Sequence, residues 1–256
     1  MKASGNTILV TGGGSGIGRE LARRWHDAGN VVIVAGRRLD ALEETAQGRP
    51  DIHAVALDVD DADALQSALA ALVKRFPRLN VLVNNAGIMR HERLDTARDL
   101  SVAEQTIATN LLGPIRLIDG LIDHLAQQPD AAIVNVTSGL AFVPLMATAT
   151  YSATKAAMHS YTQSLREALA GRVEVIELAP PGVQTDLTPG QSTRAGYQPL
   201  GDFADEAFAL FGQQPTPPEI LVANVLPLRH AERDGTHGER LAMLTAASRA
   251  MLSGGH

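Results

Sequence analysis

The chain contains no cysteine, so disulfides, thiolate metal sites and cysteine nucleophiles are excluded. No apolar run approaches the ~18 residues that a membrane-spanning helix needs. There is no block of like charge, and the formal net charge is -6. A phosphate backbone requires a basic face, so nucleic acid is excluded as a principal partner. The eight histidines are scattered and form no His-Glu-x-x-His or comparable ligand set. No metal is therefore expected, and His159 is read as structural. Residues 1–6 lead straight into a strand pattern without the apolar h-region of a signal peptide, and the expectation is a cytoplasmic location. Internal repeats, low-complexity tracts and interdomain linkers are also missing.

The composition, 45% hydrophobic and 20% charged, is that of an ordinary globular protein. Its 256 residues suffice for one large α/β domain with a sizeable core. Short, β-rich apolar runs at 7–11, 31–35, 52–56, 81–84, 131–137 and 173–179 read as buried strands. Helical patterns lie between them at 17–28, 39–47, 62–76, 102–127 and 153–170. Such alternation predicts a parallel sheet with helices on both faces. Residues 188–218 interrupt it with repeated Gly and Pro around an apolar piece at 203–211, and read as an insertion covering a site. After Pro218, residues 219–233 and 240–252 read as helical, although Pro227 weakens the first of these.

Thr11-Gly12-Gly13-Gly14-Ser15-Gly16-Ile17-Gly18 follows the first expected strand and opens the first expected helix. Glycines there permit a tight turn and let the backbone approach a pyrophosphate, while the helix N-terminus offers free N–H groups. The end of the second strand decides the type of dinucleotide. A carboxylate there binds the adenosine ribose hydroxyls and repels a 2'-phosphate. This chain has Gly36-Arg37-Arg38 instead. Two guanidiniums can pair with a phosphate, which predicts NADP(H) as the preferred cofactor, with NAD(H) as the alternative. The competing reading is that Arg37 and Arg38 merely begin a solvated helix.

Tyr151 and Lys155 are one helical turn apart and share a face. An ammonium beside a phenol favours the phenolate, so Lys155 is expected to lower the Tyr151 pKa and make it a usable acid or base. Ser138, at the carboxyl edge of the fifth strand, has a hydroxyl that can hold a carbonyl or alcohol oxygen. Asn110 lies four residues before Pro114, whose ring crowds the carbonyl of residue 110. A kink there frees that carbonyl to hold a water beside Lys155. Asn110 serving the kink alone is the competing reading. Together with the glycine loop, this set points to hydride transfer at a carbonyl carbon.

These motifs, in this order, resemble the short-chain dehydrogenase/reductase family in its single-domain branch. The resemblance runs from residue 7 to about residue 185. It implies a Rossmann-like, doubly wound parallel sheet of six to seven strands with helices on both faces. It implies a cofactor loop using Gly12, Ser15, Gly16, Ile17 and Gly18. Asp58 would meet adenine, with the backbone of Val59 beside it. Asn84-Asn85-Ala86-Gly87 would steady the sheet and line the adenosine ribose. Asn110, Ser138, Tyr151 and Lys155 would form the catalytic tetrad, with Tyr151 and Lys155 also contacting cofactor. Pro181, Gly182, Val183 and Thr185 would hold the nicotinamide carboxamide. The implied activity is NADP(H)-dependent reduction of a ketone or aldehyde, or oxidation of the alcohol. A non-catalytic NADP(H)-binding sensor and a lyase or epimerase are the other readings.

The chain departs from the family pattern at its end. No seventh strand is legible, and the tail reads as helical, which favours a dimer over a tetramer. Small residues at Ala149, Ala153, Ala157, Ser160 and Ser164 on the Tyr151 helix would allow a twofold partner to approach closely. They would serve equally for packing on the chain's own sheet. The substrate pocket is expected to be lined by Leu140, Phe142, Val143, Leu145 and Met146, with Phe203, Phe208 and Phe211 over it. A small-molecule substrate is expected, with no membrane partner.

Overall fold

A computed structural model of the chain describes residues 1–253. Its centre is a seven-stranded sheet in the order β3-β2-β1-β4-β5-β6-β7. The strands are β1 (Thr7–Thr11), β2 (Val31–Gly36), β3 (Ile52–Ala56), β4 (Leu79–Asn84), β5 (Ala132–Val136), β6 (Glu174–Leu178) and β7 (Glu219–Ile220). Every neighbouring pair is parallel. Parallel neighbours need a crossover between them, and the helices provide most of these: α1 (Gly16–Asp27), α2 (Leu39–Ala46), α3 (Ala62–Arg75), α4 (Ser101–Ile107), α5 (Gly113–Leu125), α6 (Ala149–Ala168) and α7 (Leu200–Phe211). A one-turn α8 (Leu226–Arg229) and a terminal α9 (His237–Ser253) follow β7. No helix among the described residues is long and apolar enough to cross a membrane.

Successive strand residues point to opposite faces, so each strand feeds two cores. Ile8, Val10, Val32, Val34, Val81 and Val83 bury on one face, against Leu21 and Trp25 of α1 and Phe203 and Phe211 of α7. Leu9, Ile33, Leu82 and Ile133 bury on the other, against Leu65, Leu69 and Leu72 of α3 and Leu117, Ile118 and Leu121 of α5. Asp61 starts α3 as its cap, accepting the Ala64 N–H at 2.9 Å.

Two segments differ from the sequence reading. The helix expected at 102–127 runs continuously over residues 101–125, but α4 and α5 are separated within it by a π turn, Ala108–Leu112. Pro114 enters at the start of α5, where its missing N–H is harmless. The kink argued from Pro114 is thus realised as one widened turn around Asn110. The second difference is a correction. A seventh strand exists, at the start of the stretch read as helix. Glu177 N–H donates to the Pro218 carbonyl at 3.0 Å and Ala179 N–H to Ile220 at 3.3 Å. Two residues following Pro217-Pro218 are too few to show a period of two.

Strand order reverses between β1 and β4, since the chain builds outward from β1 to β3 and then returns to β1's other side. In open parallel sheets such a reversal leaves a crevice at the carboxyl ends of the two central strands. The residues that leave β1 and β4 there are Gly12 and Asn85.

Candidate active site

Thr11 and Asn85 join the ends of β1 and β4. Thr11 Oγ1 accepts the N–H groups of Asn85 and Ala86, each at 3.1 Å. Asn85 Nδ2 donates to the Thr11 carbonyl at 2.9 Å. Gly12 turns with φ +66°, and a Cβ there would stand 2.9 Å from the Ala86 Cα. A Cβ at Gly18 would stand 2.6 Å from the Gly12 carbonyl oxygen, so helix α1 can start this close only without a side chain. Gly18 thus packs behind the loop and does not face the crevice. Arg19 steadies the loop by donating twice to the Gly14 carbonyl, at 2.5 and 3.1 Å.

Two cavities lie end to end along the crevice and share walls at Gly12, Ser15, Arg37, Arg38, Ala86 and Gly87. The first, of about 180 Å³, adds Asp58, Val59 and Asp60. The second, of about 370 Å³, adds Gly16, Ile17, Asn85, Ser138, Tyr151, Lys155, Pro181, Val183 and Thr185. Most of the residues singled out in the sequence therefore meet in one groove. Besides Gly18, Gly182 stays out of it, because the Tyr197 ring covers that glycine.

This groove fits a dinucleotide. Arg37 and Arg38 are exposed, and neither guanidinium has a hydrogen bond or ion pair among the described residues. Asp60 Oδ1 is buried without a donor, while the other oxygen accepts the Thr109 hydroxyl at 2.8 Å. A buried acceptor lacking a donor is costly on its own, and an amino group at that end of the groove would satisfy it.

At the other end Tyr151 and Lys155 are 8% and 5% exposed. Ser138 Oγ accepts the Leu140 N–H at 3.1 Å and lines the cavity together with Tyr151. Lys155 Nζ donates to the Val136 carbonyl at 2.8 Å and lies 5.5 Å from the centre of the Tyr151 ring. Burial dominates both pKa values. It pushes the Tyr151 hydroxyl up to about 12, against the nearby Ser138 side chain, which lowers it. It pushes the Lys155 ammonium down to about 8. The direction is opposite to the depressed Tyr151 expected from the sequence: desolvation of the phenolate is the largest influence on it.

Asn110 is 1% exposed, and its side chain is committed to backbone. Oδ1 accepts the Ile88 N–H and Nδ2 donates to the Ile88 carbonyl, both at 2.8 Å. It fixes the loop after β4 and does not line the groove. Asn84 Nδ2 donates to Asn135 Oδ1 at 2.9 Å, tying β4 to β5 as expected of that motif.

Several contributors carried no motif. Glu92, 7% exposed, accepts both the N–H and the hydroxyl of Thr150, at 3.0 and 2.9 Å, and so caps the helix that carries Tyr151. Gln191 is buried and donates to the Val183 carbonyl at 2.9 Å and to Thr185 Oγ1 at 3.0 Å. The expected pocket lining is also corrected. Phe203 and Phe211 lie in the core, and Phe211 meets Trp25 edge-on at 5.5 Å. Phe142 packs edge-on against His159 at 4.9 Å. Apolar burial against α1 and α6 claimed these rings.

The short chain dehydrogenase family model matches residues 6–195 of this chain. The chain belongs to the short-chain dehydrogenase family. This short-chain dehydrogenase is 42% identical over 237 residues to the oxidoreductase DltE of Bacillus subtilis, covering 91% of this chain and 94% of that one. It is 37% identical over 186 residues to a sulfoacetaldehyde reductase of Chromohalobacter salexigens, covering 71% and 74%. A short chain dehydrogenase from Burkholderia cenocepacia, solved in complex with NADP, superposes with a TM-score of 0.80 at 25% identity, covering 94% of this chain and 99% of that one. Family members are oxidoreductases that use nicotinamide cofactors, and the crevice of this short-chain dehydrogenase is built for one.

His159, Glu177 and Glu219 come together, with potential ligand atoms within 4.8 Å of one another. Sequence separation hid this cluster. Its groups already have partners: Arg229 pairs with Glu219 at 3.0 Å, and His159 Nδ1 lies 2.8 Å from Glu177 Oε2. His159 therefore packs as a structural partner of Glu177.

Proposed function

We propose that this chain is an NADP(H)-preferring carbonyl reductase or alcohol dehydrogenase. One observation carries the reading: Ser138, Tyr151 and Lys155 share a groove with two unpaired arginines where an NAD-type site would place a carboxylate. Arg37 and Arg38 would hold the 2'-phosphate, and the glycine loop would face the pyrophosphate. When bound, the nicotinamide supplies or takes the hydride.

The chain's own residues manage the oxygen. With Leu140 N–H donating to its oxygen, Ser138 keeps its own hydrogen to donate. A carbonyl oxygen entering between Ser138 and Tyr151 accepts from both. A Tyr151 held at about 12 is fully protonated at neutral pH, so it starts as a proton donor. As charge develops on the oxygen, the Ser138 donor gains strength and Tyr151 yields its proton. Lys155, one turn away, offers positive charge to the phenolate left behind. Oxidation reverses each transfer. Ala153, Ser160 and Ser164 are exposed on α6 rather than turned to the sheet, which supports a dimer built on that helix.

Fluorescence titration with NADPH and NADH tests the cofactor reading. The expected result is tighter NADPH binding in the native chain, reversed by Arg37→Asp. An unchanged affinity ratio in that variant removes the arginines from cofactor choice. Tyr151→Phe should lower kcat by at least about a thousandfold with NADPH affinity intact, more than general acid catalysis alone contributes at its low end.

A further inference from the structure

The loop after β4 carries three arginines in nine residues, Arg90, Arg93 and Arg98. Two of them are engaged. Arg93 pairs with Asp95 at 2.8 Å, and Arg98 donates to the Arg93 carbonyl at 3.2 Å and lies 3.8 Å from Glu92. Arg90 is different. It is exposed, has no hydrogen bond or ion pair among the described residues, and lines the cavity that holds Ser138, Tyr151 and Lys155.

We infer that Arg90 binds an acidic group carried by the carbonyl substrate, so that the substrates are small aldehydes or ketones bearing a carboxylate or sulfonate. This rests on the carbonyl reductase reading above and names its substrate class.

Three observations carry it. The first is rigidity. Two residues before Arg90, Ile88 is clamped at both backbone groups by Asn110. Two residues after it, Glu92 is tied to Thr150, and its N–H donates to the Ala147 carbonyl at 2.8 Å. The backbone that carries the guanidinium is thus already fixed, and only the side-chain torsions of Arg90 are ordered on binding. The second is placement. Arg37 and Arg38 line both cavities, whereas Arg90 lines only the catalytic one. The one carboxylate among its charged lining residues, Asp186, also lines the groove behind the glycine loop with Arg38 and Glu44, which puts it toward the phosphate end. The third is size. A cavity of about 370 Å³ must take the nicotinamide end as well as the substrate, at the low end of the range for ligand sites. What is left suits a short molecule. A planar fork of donors in such a space recognises a carboxylate or sulfonate through paired hydrogen bonds. The acidic group takes no part in the reaction; it orients the carbonyl toward Tyr151.

The test compares ω-oxo acids of two to six carbons with the matching ω-oxo sulfonates and the neutral n-alkanals, using native chain, Arg90→Met and Arg90→Lys. Arg90→Met is expected to lose about 10- to 100-fold in kcat/KM on the acids or sulfonates, the size of one charge-assisted contact. Its activity on alkanals should stay within about 3-fold and its NADPH affinity should not move, while Arg90→Lys regains part of the loss. The better of the acid and sulfonate series identifies the group. Equal losses on charged and neutral substrates, or a loss of NADPH affinity instead, overturn the inference. Calorimetric titration of the NADP-loaded chain with 4-hydroxybutyrate and 3-hydroxypropanesulfonate reads the anion contact without turnover. If no carbonyl is reduced but anion binding vanishes in Arg90→Met, the reductase reading falls and the anion site stands. If both anions bind both forms equally, or neither binds the native chain, the anion site falls.

Discussion

Lys155 is a cation held out of water with one carbonyl for company, and this sets a measurable tension between stability and chemistry. Below about pH 8 the ammonium is charged in both the folded and the unfolded chain, so the folded chain bears its desolvation. Above the usual 10.5 it is neutral in both, and the cost is gone. Stability from this group therefore rises between about pH 8 and 10.5. Lys155→Met should raise Tm at pH 7 by several degrees while abolishing turnover, and the gain should shrink as the pH approaches 10.5. A Tm gain independent of pH contradicts this account. Glu92 is a positioning residue, acting on Tyr151 through the start of α6. Glu92→Ala should lower kcat by about 10-fold and stability by about 1 kcal/mol, the worth of a helix cap. Glu92→Gln should restore the hydrogen bonds, and most of kcat, without the charge. Ser138, Tyr151 and Lys155 were legible because their chemistry is recorded in residue type and spacing. Glu92 and Gln191 were not: Glu92 acts on Thr150, far away in sequence, Gln191 braces an irregular loop, and neither leaves a local pattern.

Helix α7 shows what an element-scale reading catches and misses. Its apolar residues identify it as something buried, but not where. They bury on α1, with Trp25 against Phe211. Phe211→Ala should therefore cost about 3–5 kcal/mol of stability, as large-to-small core changes do, with kcat/KM of the folded fraction nearly unchanged. A selective loss of activity would return Phe211 to the substrate site. The first six strands were readable since each is a short, mostly apolar run, buried on both faces in all but the edge strand β3. The π turn at Ala108–Leu112 was foreshadowed only by Pro114, and β7 is shorter than any period. Its presence removes the premise that set a dimer against a tetramer.

For the whole molecule, the proposed α6 interface makes a direct demand. Light scattering should give a dimer or a pair of dimers, and Ala153→Arg, at an exposed position, should halve that mass with Tm unchanged. An assembly unchanged by that variant uses another surface. The sheet has one more consequence. β1, β2 and β3 come from residues 7–56 and β4 to β7 from residues 79–220, so the polypeptide passes from one half of the sheet to the other a single time. The halves are otherwise joined by the β1–β4 ladder, the weld at Thr11 and Asn85, core packing, and polar contacts such as Arg24–Asp205 and Asn80–Asn6. The crevice spans that seam. A chain cut between α3 and β4 becomes two fragments whose reunion assembles the nucleotide groove, and mass action then ties their association to the nucleotide concentration. Fused to the halves of a split reporter, the pieces would form a sensor whose signal follows the dinucleotide.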